Sequence, residues 1–551
     1  MGSRDSRARL PLPFPPMTAW VFADAFEKIA SVLPDAPCQV QGDRVVTWAE
    51  FDRRSNALAA DFLEAGLGEQ AKVAAYLTNC PEYMETYLAA FKAGLVPVNT
   101  NFRYGPEEIR YLFDNADAEA IVFHATFADL LEEVRHDLPL VKRWYVVSDG
   151  SPEPDWATPY EKVVADGGGA RVVAPWGRSP DHCLFLYTGG TTGMPKGVMW
   201  RQDDLFNVLG GGGNAIAGVP PADDLDHMAS RITGPGLVGL PACPLMHGTG
   251  QFTAFILMIA GGSIAMLEDR TFDPAALWQT VQDKKVNSLT IVGDAFARPL
   301  LAALDANPGG WDLSSLMLIT SSGVMWSNEV KQGLLGHLPS VILFDSLGSS
   351  EAVGLAANVS GGGSAAETAS FQLGENVAVI TEDGRLVKPG SEEIGMLGIP
   401  GFIPIGYYKD PEKSAKTFRT VEGVRYSIPG DFATVAADGK IHLLGRGSVV
   451  INTGGEKVFP EEVEEVLKQH SSVLDAVAVG LPDDRFGEII CAVVEPRDGA
   501  TVDEADVIEF VRSKLARYKA PRKVLVVDTI GRSPAGKVDY KGIKALALDR
   551  V

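Results

Sequence analysis

Residues 187–197 read Tyr187-Thr188-Gly189-Gly190-Thr191-Thr192-Gly193-Met194-Pro195-Lys196-Gly197. The glycines leave backbone N–H groups open to an approaching anion, while Thr188, Thr191 and Thr192 add hydroxyl donors and Lys196 adds a positive charge. That chemistry is a phosphate cradle. The apolar run Cys183-Leu184-Phe185-Leu186-Tyr187 reads as a short buried strand, so the loop starts at a strand end, where α/β folds place ligands. A surface turn shares the Gly/Thr composition; the closing Pro-Lys-Gly favours the cradle. A Walker A loop is excluded, because that pattern ends in Gly-Lys-Ser/Thr.

Further residues with chemistry follow. His247 sits in Pro244-Leu245-Met246-His247-Gly248, and Ser321-Ser322-Gly323-Val324 is a run of small residues. Asp345-Ser346-Leu347-Gly348-Ser349-Ser350-Glu351 places two carboxylates around hydroxyls, Pro429-Gly430-Asp431 adds a third, and Gly445-Arg446-Gly447-Ser448 adds a guanidinium. Arg532-Ser533-Pro534-Ala535-Gly536-Lys537-Val538 sets a lysine in a Gly/Pro loop. Alone, each has a plain reading: a structural histidine, a solvated acid, a turn aspartate, a solvated loop lysine. With Gly531 the last stretch spells GxxxxGK, but Val538 lacks the hydroxyl that a P-loop places on Mg²⁺.

Taken in order, these stretches resemble the signatures of the adenylate-forming enzymes: acyl-CoA synthetases, beetle luciferases and peptide-synthetase adenylation domains. The resemblance spans about residues 17–545. It implies that Thr188, Gly189, Gly190, Thr191, Thr192, Gly193 and Lys196 hold the ATP phosphates and that His247 gates the acyl pocket. Adenine would lie between Ser322-Gly323 and the stretch Asp345, Ser346, Leu347, Gly348, Ser349, Ser350. Leu347 replaces the usual aromatic, and Ser350 replaces a Thr that donates to the α-phosphate. Glu351 would take Mg²⁺ bridging the phosphates, since a hard cation takes oxygen ligands and needs only one or two protein carboxylates. Asp431 and Arg446 would bind the ribose, Ser448 would be the hinge, and Gly454 and Gly455 would line the pantetheine tunnel for CoA. Lys537 would bridge the acyl carboxylate and the α-phosphate.

The implied reaction uses ATP, Mg²⁺ and CoA: an acyl-adenylate forms with release of pyrophosphate, then a thiolate displaces AMP. Catalytic roles fall to Lys537, Glu351 and His247. The variants at Tyr187-Thr188-Gly189-Gly190, Val198-Met199-Trp200-Arg201, 345–351, 445–448 and 532–537 are most similar to actinobacterial acyl-CoA synthetases that activate sterol side-chain acids. Gly248, Thr249, Gly250, Gly293, Gly323 and Val324 leave volume for a bulky acyl group, or serve tight backbone packing. A steroid side-chain acid is the first expectation; a medium- or long-chain fatty acid or an aryl-alkanoate is the alternative. A nucleotide-binding scaffold without catalysis is the rival from another class.

Those residues need a frame. With 551 residues, 46% hydrophobic, 58 Gly and 35 Pro, the chain suits a soluble, loop-rich α/β protein of two or more domains. Its formal net charge of −22 argues against nucleic acid or an anionic membrane as partner. The partners that the resemblance implies are a small carboxylic acid and CoA, with a homodimer left open. Cys38, Cys80, Cys183, Cys243 and Cys491 form no Cys-x-x-Cys pair and read as core fillers in a reducing, cytoplasmic setting. Met1-Gly2-Ser3-Arg4-Asp5-Ser6 fits a myristoylation pattern, but the Pro-rich stretch to Pro16 reads as a flexible arm over 1–16. No apolar run reaches the ~20 residues that span a bilayer.

From Trp20 the pattern alternates. Residues 48–65 place Phe51, Leu58 and Phe62 on one helical face with Gly66 as the stop, and Lys72-Val73-Ala74-Ala75-Tyr76-Leu77 is a strand. Helix 83–93 and strand 94–98 follow, and strand-like runs recur at 119–123, 288–292 and 341–344. This βαβ rhythm predicts an α/β fold: a large N-terminal domain of helix-covered, mostly parallel sheets over 17–445. Residues 210–236 break it as an irregular insertion, a pocket lid or a disordered excursion, and Gly361-Gly362-Gly363 reads as a linker. From 446 to 551 a strand at 449–451, a helix from Pro460, strands 476–479 and 489–494 and a helix over 503–516 predict a small α+β domain carrying Lys537, which the resemblance implies is mobile.

Overall fold

The computed structural model describes residues 19–188, 194–214, 218–324, 326–362, 370–374, 376–391, 393–446, 450–453, 456–483, 486–532 and 538–550. The amphipathic pattern after Thr47 becomes the helix Trp48–Glu64. The Thr47 side chain accepts the Glu50 N–H at its start, and Phe51, Leu58 and Phe62 are fully buried. Gly66, at φ +78°, supplies the left-handed residue just past its end.

Short apolar runs become parallel strands. Cys183–Thr188, Val96–Asn99, Lys72–Tyr76, Ala118–His124 and Arg143–Val147 lie side by side in that order, all parallel. Beyond Cys183–Thr188 the sheet continues antiparallel through Lys196–Arg201 to Gly406–Tyr407. A second sheet has a parallel core of Ser263–Met266, Val238–Pro241, Ser288–Ile291, Leu318–Ser322 and Ile342–Ser349. From there it turns antiparallel through Ala352–Ser360, Ser370–Leu373, Lys440–Arg446 and Asp431–Val435. Both sheets are therefore mixed: the helix-linked segments give the parallel cores, and the helix-poor chain from 342 to 446 adds antiparallel strands.

One core cluster draws on both sheets, holding Val73 and Leu186 from one and Ile264 and Met266 from the other. Between them pack Phe22, Phe26, Trp48, Phe51, Phe91 and Phe255. Phe22 stacks on Phe91 at 5.1 Å and tilts against Phe255 at 4.9 Å. The helix Pro81–Lys92 is buried along its whole length. Lys92 can lie there because its Nζ meets Glu27 at 2.9 Å, Asp52 at 2.6 Å and Asn56 at 2.9 Å.

Residues 451–550 have a sheet of their own, with Val473–Asp483 and Gly487–Pro496 at its centre and Lys523–Val526 parallel to the latter. The helices Pro460–Lys468 and Glu504–Lys514 cover it through Val463, Leu467, Val507 and Val511. Part of the 210–236 stretch folds onto the main core. Asp224 caps the short helix Leu225–Ser230 by accepting the His227 N–H at 2.7 Å, Met228 and Ala222 are buried, and Arg231 donates to the carbonyls of Gly212 and Pro220. Its described part is thus no disordered excursion. All five cysteines are free and buried. Among the described residues no helix is long and apolar enough to cross a membrane.

Candidate active site

Thr188 pairs with Lys196 at the mouth of a β-hairpin. Gly189, Gly190, Thr191, Thr192 and Gly193 lie outside the described residues. Gly197 admits the Tyr187 ring, which a Cβ would meet at 2.7 Å. Asn99, at the end of its strand, fixes the hairpin from the side. Its Nδ2 donates to the carbonyls of Tyr187 (2.8 Å) and Met246 (2.6 Å), and its Oδ1 accepts the Tyr187 N–H at 2.5 Å. One buried amide thus ties the phosphate strand to the loop carrying His247. The only sequence signal for Asn99 was its place after Val96-Pro97-Val98.

Lys196 Nζ pairs with Asp410, whose carboxylate also accepts the Lys413 N–H at 2.9 Å to cap the helix Pro411–Thr417. The Lys196 hydrogen bond holds the Asp410 carboxyl below the usual range. Glu351 sits at the turn between Ile342–Ser349 and Ala352–Ser360. Its Oε1 accepts the Tyr407 hydroxyl at 2.7 Å, and its backbone carbonyl accepts from Ser427 at 2.6 Å. Trp200 Nε1 donates to the Ser350 carbonyl at 2.9 Å. Trp200 and Tyr407 belong to the hairpin sheet, so they fasten the 350–351 turn of the second sheet to it. Neither Asp410 nor Tyr407 was singled out from sequence.

Asp345 is bonded to Lys331 at 2.7 Å. Gly430, at φ +101°, turns the chain into the strand Asp431–Val435, where buried Asp431 is in register with Arg446. His247 precedes the helix Gly248–Ile259. These residues share one cavity of about 2130 Å³, lined by Thr188, Lys196, His247, Ser322, Gly323, residues 345–351 and Asp431. Gly248, Thr249 and Val324 also line it, and it continues along an apolar wall of Leu237, Phe252, Ile256 and Leu257. Lys468, Asp475, Arg532 and Tyr540 approach from the C-terminal unit.

Two expected pocket residues are misplaced. Gly250 is outside the lining: a Cβ there would meet the Pro244 carbonyl oxygen at 2.6 Å, so its smallness serves backbone packing. Gly293 is outside it too. It takes φ +51° and donates its N–H to Ser321 Oγ at 2.9 Å. Ser448, Gly454, Gly455 and Lys537 lie outside the described residues, as does the Arg446 side chain.

Loops at strand ends gathered round a phosphate hairpin mark a nucleotide-using α/β enzyme. AMP-binding enzymes match residues 26–402, and the AMP-binding enzyme C-terminal domain matches 462–537. The chain belongs to the AMP-binding enzyme family. It is 41% identical over 529 residues to the medium/long-chain-fatty-acid–CoA/3-oxocholest-4-en-26-oate–CoA ligase of Mycobacterium marinum, covering 95% of this chain and 96% of that protein. It is 42% identical over 536 residues to the 3-oxocholest-4-en-26-oate–CoA ligase of Rhodococcus rhodochrous, covering 95% of each. In fold it is similar to the anthranilate CoA ligase AuaEII in complex with anthranoyl-AMP, with a TM-score of 0.82 at 21% identity over 98% of this chain and 99% of that one. ATP-bound MatB from Rhodopseudomonas palustris gives 0.79 at 24% identity over 96% and 99%.

Proposed function

We propose that this chain is an AMP-forming acyl-CoA ligase acting on a bulky carboxylic acid, with a steroid side-chain acid as the best fit. One observation carries the reading: a single cavity joins the Lys196 and Glu351 end to an apolar wall of Leu237, Phe252, Ile256 and Leu257. Its volume of about 2130 Å³ exceeds the ~300–1,000 Å³ of ordinary small-molecule sites, which leaves room for a nucleotide and a large acyl group together. The names of the relatives, ligases of 3-oxocholest-4-en-26-oate and of medium and long-chain fatty acids, support the same substrate range.

A carboxylate has too poor a leaving group to acylate a thiol directly. In the first step its oxygen attacks the α-phosphorus of ATP, the bond to the β-phosphate breaks, and pyrophosphate leaves. In the second, the CoA thiolate attacks the acyl carbon and AMP departs. No protein nucleophile is needed, so the residues act by position and charge. Thr188 and Lys196 bind the outer phosphates, for which Lys196 must exchange Asp410 for a phosphate oxygen. Ser350 donates to the α-phosphate, Asp431 takes the ribose hydroxyls with Arg446, and adenine is bordered by Gly323 and by Leu347 to Ser349, just beyond the paired strand positions Ser322 and Ser346. His247 gates the acyl end. Lys537 neutralises the reacting centre, after which the unit 446–551 turns at Ser448 to bring Gly454 and Gly455 to the thiol.

Mg²⁺ fits the donor set. It takes one or two carboxylates and completes its shell with phosphate oxygens and water, and Glu351 is a single carboxylate aimed by Tyr407. When bound, the ion would neutralise phosphate charge. The five buried thiols suit a cytoplasmic setting.

The test is to incubate the protein with ATP, Mg²⁺, CoA and a pool of straight-chain, aryl and steroid side-chain acids, and to identify thioesters by mass. A dominant steroid thioester is expected. Fatty-acyl thioesters alone would keep the chemistry and reject the substrate; no thioester and no pyrophosphate would favour a scaffold.

A further inference from the structure

Sheet order sets the phosphate hairpin between two neighbours: Val96–Asn99 beside Cys183–Thr188, and Gly406–Tyr407 beside Lys196–Arg201. Both neighbours run in the direction of Cys183–Thr188, so their C-terminal ends lie at the same end of the sheet as Thr188 and Lys196. A few residues beyond each lies a cation that lines the cavity, Arg103 after the first and Lys413 after the second. The two therefore follow the strands that flank the hairpin on either side.

The charge balance of the cavity singles them out. Lys196 pairs with Asp410, Arg298 with Asp294 at 3.0 Å, Lys468 with Glu465 at 3.1 Å and Arg532 with Asp475 at 2.6 Å. Among the described residues, Arg103 and Lys413 line the same cavity without an ion pair, although the Lys413 charge also acts on the Asp410 carboxylate that Lys196 bonds. The nearby acids are committed elsewhere: Glu108 accepts the Gly105 N–H at 3.0 Å, and Glu412 pairs with Lys416 at 2.6 Å. In a chain of net charge −22, two cavity-lining cations without an ion pair call for an anion. Arg103 is also pre-positioned. Its guanidinium lies 4.6 Å from the centre of the Phe102 ring, and Asn101 Oδ1 accepts its backbone N–H at 3.0 Å.

We propose that Arg103 and Lys413 form a two-sided clamp for a diphosphate group at the Thr188 and Lys196 end of the cavity. The guanidinium fork suits two phosphate oxygens, and the ammonium acts as a point charge. The identity of the diphosphate rests on the ligase reading above. It arrives either as the outer phosphates of ATP, released as pyrophosphate, or as the diphosphate of CoA.

Calorimetric titration of the full chain with pyrophosphate, ATP and CoA tests this in Arg103→Gln, Lys413→Gln and the double variant. Both side chains are exposed, so the variants should fold, and thermal unfolding checks that they do. Each single change should weaken a diphosphate ligand by about 10-fold, less so at high salt, and the double change by more than either. Loss confined to pyrophosphate and ATP assigns the clamp to the leaving group; loss confined to CoA assigns it to the thiol donor. Unchanged affinity for all three ligands in the double variant overturns the clamp. An equal loss in Lys285→Gln, whose lysine pairs with Asp312 outside the cavity lining, also overturns it, because overall charge would then be the cause. Affinity is read without turnover, so a failed clamp leaves thioester formation standing, whereas a wild type that makes no thioester fails the ligase reading alone.

Discussion

Tyr407 carries the most exposed consequence of the site geometry, because its hydroxyl is what aims Glu351 at 2.7 Å. Tyr407→Phe keeps the ring and removes that bond. The Mg²⁺ concentration for half-maximal pyrophosphate release should rise about 10-fold, while metal-free ATP binding stays unchanged. Equal weakening of both would mean that Tyr407 supports the fold rather than the carboxylate. Lys537→Ala should differ in kind. It should lower adenylation by roughly 10²–10³, the scale of one oxyanion donor, and spare thiol attack on a supplied acyl-adenylate. Loss of both half-reactions together would contradict a lysine that serves only the first step. The motif residues were legible one by one, since each has a chemical type in a fixed order. Their partners were not: Asp410 stands 214 positions from Lys196 and Tyr407 56 from Glu351, and only the sheet pairing brings them together.

At the scale of elements, Asn99 joins the strand Cys183–Thr188 to the turn before the helix Gly248–Ile259 through three short hydrogen bonds. Asn99→Ala would leave buried amide and carbonyl groups unsatisfied, at a cost of about 2–4 kcal/mol in urea unfolding. A change under 1 kcal/mol would show that the turn finds other partners. The βαβ rhythm announced the parallel cores, because alternating short apolar runs and amphipathic helices have few other solutions. The antiparallel chain from 342 to 446 was less legible, since short strands with few helices do not declare their neighbours. Gly250 shows a second limit. Composition reveals a small residue but not whether the space beside it holds a ligand or a carbonyl group.

At the scale of the whole molecule, the described N-terminal elements are joined by buried ion pairs as well as by the aromatic core. Glu27 binds Lys92 at 2.9 Å and Arg178 at 2.7 Å, linking the helices Phe22–Val32 and Pro81–Lys92 to the segment near 178. Burial pushes the Glu27 carboxyl up, but Arg178 and Lys92 together outweigh it and hold the group at about 2, below its ordinary 4.5. A depressed carboxylate stabilises the fold above the unfolded value and loses that contribution as pH falls from 4.5 towards 2. Glu27→Gln should therefore cost about 2–3 kcal/mol at pH 7 and flatten the acid limb of the stability curve. An unchanged acid limb would place the acid sensitivity elsewhere.

The central claim is that the phosphate end and the apolar end of one cavity activate an acid before any thiol is involved. Exchange of labelled pyrophosphate into ATP, followed with and without CoA, tests it most directly. The account expects exchange that requires a carboxylic acid, is strongest with steroid side-chain acids, and proceeds in the absence of CoA. Exchange that appears only when CoA is present, or with no acid at all, would contradict it.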